Sequence, residues 1–476
     1  MPNAPSPGSA PASTFEPDVY IVQGVEPEVG AYAMAKYSRS ALSLRDSLQE
    51  LNRDKAEKFL NTFYFQYGHR SIADLAHLSF AVERLSILAA IEVADEPRWD
   101  GQERSTRYQR FRSSGVVLPP ELDADPSSRP QLQALFAAYE ALGPRLEAHL
   151  QSLHLRPDAM AEDHYRRAIR ARAFDSARYL LPLATATSLG QIVSARTLEQ
   201  QIVRLLSSPY AECQALGEAL RRAALAPGAL PTLVKYTEPS PYLEASVAEL
   251  TQAAAELMAA VAPDHACGAA LAPPAALEIE LGASLLYAHT HHSYRQLLEA
   301  VEALTPARRD ELAALGTRHR GSHDELPRAF QAGLPFQFDI LMDIGGFRDL
   351  HRHRRCVQLH QGYTAQHGFD TPAAILAAGA EPAYAAAMAA AAAAGARHPA
   401  TVGAYLLPLG YRKRSLFKMD LAQVAYMAEL RTGLGGHFSY RSIAWQMYEA
   451  LQRRHPSLAR GLRVTNPHVQ DDPLAR

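Results

Sequence analysis

Two stretches of this chain concentrate side chains able to do chemistry. Gln102-Glu103-Arg104-Ser105-Thr106-Arg107-Tyr108 sets a carboxylate, hydroxyls, two guanidiniums and a phenol side by side. Arg348-Asp349-Leu350-His351-Arg352-His353-Arg354-Arg355 holds four arginines and two histidines. Guanidinium forks match phosphate and carboxylate geometry two bonds at a time. Arg352-His353-Arg354 also offers a flat cationic surface to an electron-rich ring. So many cations cannot be buried without counter-charges. The chemistry indicated is therefore anion binding, set against a plain solvated loop for the first stretch and a basic surface face for the second.

The flanking residues say what must hold these groups. Upstream of the first stretch, Leu75 to Val93 predicts a long apolar helix, with Ser71 as its cap. Asp95-Glu96-Pro97 and Asp100-Gly101 then break it, which puts the polar run on a loop. The second stretch follows an apolar segment, Phe338 to Ile344, and Gly345-Gly346.

The rest of the chain reads mostly as helix. Residues 1–16, rich in Pro, Ser and Ala, predict a disordered arm. Val19 to Val22 predicts a short strand, followed by a helix opening at Glu26-Pro27. Helices are expected from Asp54 to Phe65, Gln131 to Leu153, Pro157 to Tyr179 and Ala195 to Ala223. Phe63, Tyr64, Phe65 and Tyr67 read as core. Pro227-Gly228 ends the first half. Leu233 to Pro239 then repeats the opening, a β run followed by Glu-Pro. Leu180-Leu181-Pro182-Leu183 recurs as Leu406-Leu407-Pro408-Leu409, and Leu78-Ser79-Phe80 is echoed by Phe336-Gln337-Phe338. Two helix-rich halves can match by chance, but the common order points to an internal duplication, with domains at 17–228 and 229–476. The second half carries extra helices over 276–316 and alanine-rich ones over 372–396.

Composition narrows the function. The 476 residues are 47% hydrophobic and 21% charged, with net charge −2. That describes a globular protein with no global field for nucleic acid. Cys213, Cys267 and Cys356 are scattered, so a reducing, cytoplasmic setting is expected. No secretory signal is evident, and the most apolar run, Ala383 to Gly395, is too short to span a bilayer. No Rossmann or P-loop motif occurs. His289, His291 and His292 read as helix surface rather than ligands. Arginines around His351, His353 and His360 would repel a cation, so no metal site is expected. Arg412, Lys413 and Arg414 read as a solvated turn.

The two chemical stretches resemble the flavin-dependent thymidylate synthases. That family's signature runs Arg-His-Arg-x-x-Ser-x-Asn-Glu-x-Ser-x-Arg-Tyr within one domain. Here it is divided. The first repeat keeps the second part as Gln102-Glu103-x-Ser105-x-Arg107-Tyr108, with Asp95-Glu96-Pro97 where Arg-His-Arg would stand. The second repeat keeps Arg352-His353-Arg354, and its remainder has become Gln358-Leu359-His360-Gln361-Gly362-Tyr363. The family's arginine before the Leu-Pro turn is Arg178 in the first repeat and Ala404 in the second. Its later asparagine and arginine positions hold Asp420 and Arg431 in the second repeat, against Ser194 and Leu205 in the first, where Arg204 stands one position off.

The resemblance implies an α+β, helix-dominated fold with small sheets, its two related domains packed as a pseudo-dimer that pairs again into a homo-oligomer. It implies an enzyme that uses FAD, methylenetetrahydrofolate and NADPH to methylate dUMP at a composite site between the repeats. Gln102, Glu103, Ser105, Arg107, Arg178 and Arg431 would bind the nucleotide. Arg352, His353, Arg354 and Asp420 would border the flavin, with Arg352 and Arg431 also acting in catalysis. There are departures. Gly68-His69-Arg70-Ser71-Ile72-Ala73-Asp74-Leu75 ends in leucine where the family has a flavin-contacting histidine, with His77 two residues on. Asp349 stands where the family has glutamine. These leave open a diverged flavoenzyme acting on another pyrimidine nucleotide, or a non-catalytic nucleotide-binding or structural relic of the family.

Overall fold

The computed structural model describes residues 22–36, 44, 47–48, 53–61, 70–322, 324–469, 472 and 474–475. The fold is α+β, with helices surrounding two small antiparallel sheets. In the first half, β1 (His77–Ser86) is followed by α1 (Ile87–Ala94), β2 (Asp100–Glu103), the long helix α2 (Ser128–Leu153), α3 (Glu162–Ala177), β3 (Ala186–Ser194), α4 (Ala195–Leu206) and α5 (Ala211–Ala224). The sheet order is β1-β3-β2. In the second half, α6 (Pro241–Met258), β4 (Gly268–Leu271) and a helical group of α7 (Leu277–Tyr287), α8 (Tyr294–Glu302) and α9 (Pro306–Leu315) come first. Then follow β5 (Phe336–Asp343), α10 (Ile344–His351), β6 (Val357–His360), α11 (Glu381–Gly395), β7 (Arg412–Met419), α12 (Leu421–Arg431) and α13 (Phe438–Arg454). The second sheet runs β4-β5-β7-β6.

Several local expectations are corrected. Leu75 to Val93 is not one helix. It is a strand through Ser86 and then a helix, and Ser71 caps nothing of that length. Leu78, Phe80 and Val82 alternate with exposed Ser79, Ala81 and Glu83, the period of a half-buried strand. The Ser86 hydroxyl then accepts from the Ala89 amide at 2.9 Å and starts the helix. Gln102 and Glu103 end a strand rather than lying in a loop. Ala195 to Ala223 is broken around Ser208 into two helices. Leu233 to Tyr236 forms turns, not a β run. Arg412-Lys413-Arg414 is no solvated turn. It opens β7, where Arg414 pairs with buried Asp339 at 2.8 Å and Lys413 donates to the Gln361 carbonyl at 2.9 Å. Of the expected first strand, Val19 to Ile21 lie outside the described residues, as do 1–16, Phe63, Tyr64, Phe65 and Tyr67.

The two halves repeat one plan: strand, helix, short strand, intervening helices, Leu-Leu-Pro-Leu turn, strand, helix. Register supports the equivalence. Leu78 lies opposite Val193 and Phe336 opposite Met419, and the two return strands follow their turns at the same distance. β1 carries one extra residue, Arg84, at a bulge with φ of 59°. The two turns meet face to face. Leu183 donates its amide to the Leu407 carbonyl and Leu409 to the Leu181 carbonyl, both at 2.9 Å. Pro182 and Pro408 form the bridge between them. Around this pairing a single apolar core runs through both halves, with Tyr179, Leu183, Tyr405 and Leu409 all at 1% exposure or less. Helices α6 to α9 close a second, smaller core of their own.

Candidate functional site

Each repeat's short strand ends against the other repeat. β2 delivers Gln102 and Glu103, and the turn after it delivers Ser105, Thr106, Arg107 and Tyr108. The end of α3 adds Arg178. From the second repeat, α10 adds Arg348 and Asp349, its C-cap adds Arg352, the last residue of α12 adds Arg431, and α13 adds Tyr440. Together they line one cavity of about 250 Å³.

The charges inside are already partly paired. Arg348 Nη2 donates to Glu103 Oε2 at 2.6 Å, joining the repeats. Arg178 Nη2 lies 3.5 Å from Asp349 Oδ2, and its Nη1 donates to Thr106 Oγ1 at 3.3 Å. Arg107 Nε donates to buried Asp175 Oδ1 at 2.8 Å and its Nη1 to the Tyr440 hydroxyl at 3.2 Å. Burial opposes ionisation of Asp349, yet Arg178, Arg107 and Arg431 together hold its carboxyl below the usual range. Burial likewise works against charge on Arg107, and Asp175 more than offsets it.

Arg104, Arg107, Arg178, Arg348, Arg352 and Arg431 line the cavity against Glu103, Asp349 and the buried Asp175 behind Arg107, so positive charge is in surplus. A positive surplus of this kind suits an anionic ligand such as a phosphate monoester. The Nε atoms of Arg178 and Arg348 are buried donors without a hydrogen-bond partner, as expected where an acceptor-rich ligand belongs.

The other residues singled out from sequence are dispersed. His353 is buried behind the cavity, where its Nε2 accepts from Arg431 Nε at 2.7 Å. Burial, with Arg431 and Arg354 beside it, pushes the imidazole down to about 3, so it is neutral and able to accept. Its position is that of a group that aims Arg431. Arg354 turns away and stacks on Trp99, with its carbon Cζ 4.1 Å from the ring centre. There it lines a neighbouring cavity of about 400 Å³ with His77, Asp100 and Ser194. Asp420 is exposed, caps α12 through the Gln423 amide at 2.8 Å and lies 3.6 Å from Arg355. His351 and His360 meet Asp95 elsewhere between the repeats. Asp175, Thr106 and Tyr440 were not foreseen. The signal for Asp175 was a carboxylate one turn before Arg178 on a helix face of small apolar residues.

Fold and cavity define a two-repeat α+β protein with an arginine-lined anion pocket shared by its halves. Residues 21–227 and 327–457 match the family model Thy1, thymidylate synthase complementing protein, and the chain belongs to that family. A UPF0159 protein of Chlamydia pneumoniae is 25% identical over 489 residues, 92% of this chain and 90% of the relative. A UPF0159 protein of Thermoplasma acidophilum is 25% identical over 505 residues, 93% and 96% of the two chains. A flavin-dependent thymidylate synthase of Clostridium tetani is 26% identical over 176 residues, 36% of this chain and 67% of that one. Among solved structures, thymidylate synthase X from Helicobacter pylori with FAD and dUMP aligns at 17% identity and TM-score 0.31, over 44% of this chain and 96% of that one. A UMP/dUMP methylase from Streptomyces cacaoi bound with 5-Br dUMP aligns at 17% identity and TM-score 0.32, over 46% and 95%.

Proposed function

We propose that this protein is an FAD-dependent enzyme that methylates dUMP to dTMP, with methylenetetrahydrofolate as carbon donor and NADPH as reductant. The observation that carries this reading is the cavity itself, with a surplus of guanidiniums over carboxylates assembled from both repeats. Arg107, Arg178 and Arg431 grip the phosphate and the base through charge-assisted hydrogen bonds. Ser105 adds a hydroxyl, and Glu103 and Gln102 face the sugar side. Arg352, exposed at the cavity mouth, stabilises negative charge developing on the uracil carbonyl oxygen. His353 holds Arg431 in place for the same task.

At about 250 Å³ the cavity suits one nucleotide and not a dinucleotide beside it. The adjoining cavity offers groups that fit FAD: the Trp99 ring, His77, and Arg354, whose Nε is a buried donor without a partner. Bound flavin would supply the redox chemistry of the methyl transfer. The residues around it supply a stacking surface and a cation for its diphosphate. We further propose repeat boundaries at 17–228 and 229–476, a cytoplasmic location, and a homo-oligomer of two-repeat chains.

The test is the absorption spectrum of the purified protein followed by turnover of dUMP with both co-substrates. A flavin band with dTMP formation is expected; a colourless protein that also fails to bind dUMP sinks the reading. One observation favours a second reading. Asp349 is held ionised in the cavity, and a carboxylate only accepts hydrogen bonds. A base that presents an amine suits it better than uracil, so another pyrimidine nucleotide, such as a cytidine nucleotide, is the alternative substrate. Tighter binding of dCMP than of dUMP would decide for it.

A further inference from the structure

The repeat relates the anion cavity to a second place between the halves. Glu103 ends β2; its counterpart ending β6 is His360. Arg352 caps α10; its counterpart capping α1 is Asp95. Arg178 and Arg431 of the first place have no exact equivalents here, although Arg204, one position off, pairs with Glu96 at 2.8 Å. Ala404 corresponds to Arg178 and Leu205 to Arg431, and both are buried. Tyr363 and Tyr405 pack edge-on to Tyr210, with ring centres 6.5 and 6.3 Å away. The polarity is also exchanged: a carboxylate facing guanidiniums has become an imidazole facing a carboxylate. His351, the last residue of α10, adds a second imidazole.

We propose that Asp95, His351 and His360 form a site for a divalent transition-metal ion of the zinc or cobalt type, one ion per chain, clamping the two repeats together. This stands apart from the reaction proposed above. His351 Nε2 lies 3.1 Å and His360 Nε2 lies 3.5 Å from the same Asp95 oxygen, Oδ1. The three donor atoms all lie within 4.8 Å of one another. Around an ion with bonds of about 2.1 Å, donor atoms stand roughly 3.0–3.4 Å apart, so the His351–Asp95 edge already fits and the His360–Asp95 edge lies just outside. The rings are set in place. His360 Nδ1 contacts the Ser415 hydroxyl at 3.1 Å, which leaves its Nε2 facing Asp95 for the ion. Such outer contacts fix ligand tautomer and orientation. Phe347 stacks on His351 and meets His360 edge-on, at 5.2 and 5.0 Å between ring centres. A cavity of about 170 Å³, lined by Asp95, Glu96, His351 and also Arg328, Arg354 and Arg355, reaches two of the three ligands.

Arg328 and Lys413 oppose a cation here. Arg328 donates to Asp95 Oδ1 at 2.6 Å and also to the Asp95 carbonyl. The buried carboxyl of Glu96 and the carboxyl of Glu92 lie on the same turn and partly offset it, though Arg204 pairs with both. The balance selects ions that bond imidazole strongly over magnesium or calcium, whose preference is for oxygen.

The test is titration of the full-length, chelator-treated protein with Co²⁺, followed by its visible absorption, with Zn²⁺ in competition. One ion per chain with a tetrahedral or five-coordinate cobalt spectrum is expected. His351→Gln and His360→Gln each lower the affinity on the order of 100-fold. Arg328→Gln keeps a hydrogen-bond donor but removes the charge, and raises the affinity. Circular dichroism checks each variant's fold. Wild-type protein that takes up no stoichiometric Co²⁺ or Zn²⁺ overturns the proposal whatever the variants do, and so does a folded His351→Gln/His360→Gln protein with the wild-type isotherm.

Discussion

Arg107 and Asp175 meet through two hydrogen bonds, Nε to Oδ1 at 2.8 Å and Nη2 to Oδ2 at 3.3 Å, with the carboxylate wholly buried. The pair spans the turn after β2 and the helix that ends at Arg178. It sets the guanidinium before any ligand arrives, so less ordering entropy is lost on binding. Asp175→Asn leaves Arg107 buried without its counter-charge. The expected loss is about 3–5 kcal/mol of folding stability, read from urea unfolding, with weaker nucleotide binding in the protein that remains folded.

Arg107→Ala and Arg178→Ala should each weaken dUMP binding by about 1–3 kcal/mol, the usual worth of a hydrogen bond to a charged group. Isothermal titration of the two variants measures this. Unchanged affinity in both removes these residues from the site.

Arg348 and Glu103 cross between the repeats with little exposure on either side chain. Removing one partner strands the other. Arg348→Met should destabilise the protein more than the double variant Arg348→Met/Glu103→Gln does. A double-mutant cycle in denaturant gives the coupling, and additive effects would show that the contact carries none.

Asp343 caps α10, accepts from the Gly346 amide and from the Ser439 hydroxyl, and is pushed up to about 6 by burial and then by nearby Asp370. Its folded-state value lies above the ordinary 3.8, so the fold favours the protonated form. That contribution is complete below about pH 4 and is lost as pH rises through 6. Asp343→Asn should therefore gain on wild type by about 1 kcal/mol in going from pH 5 to pH 8. Unfolding midpoints at the two pH values check the sign.

Gly395 and Gly403 let the end of α11 touch the segment that leads into the second Leu-Leu-Pro-Leu turn. A Cβ on Gly403 would lie 2.3 Å from the Gly395 carbonyl oxygen, and backbone cannot step aside as a side chain can. Gly403→Ala should cost about 1–3 kcal/mol, seen as a lowered melting temperature.

The division of the site between the halves could be read from sequence because the losses are complementary: Arg178 against Ala404, Arg431 against Leu205. The strands that build it were harder to read. Leu75 to Val93 is rich in apolar residues, and the short alternation from Leu78 to Glu83 gives way to a helical period at Ser86 with no turn residue between them to mark the change. β7 begins with three cations, and distant partners, among them Asp339, the Gln361 and Asp264 carbonyls and the Tyr363 ring, make burial of Arg414 and Lys413 tolerable. No local pattern reports a partner on another strand. Asp95 read as a helix breaker for the same reason. Its histidines lie more than two hundred residues away in the chain.

The face-to-face pairing of the two proline turns has a final consequence. A pocket shared by separate subunits empties of half its walls when the protein is diluted. Here both walls travel on one polypeptide, so the local concentration of each for the other is set by the chain and not by the cell. The pocket should stay assembled at nanomolar protein, whatever becomes of any larger assembly.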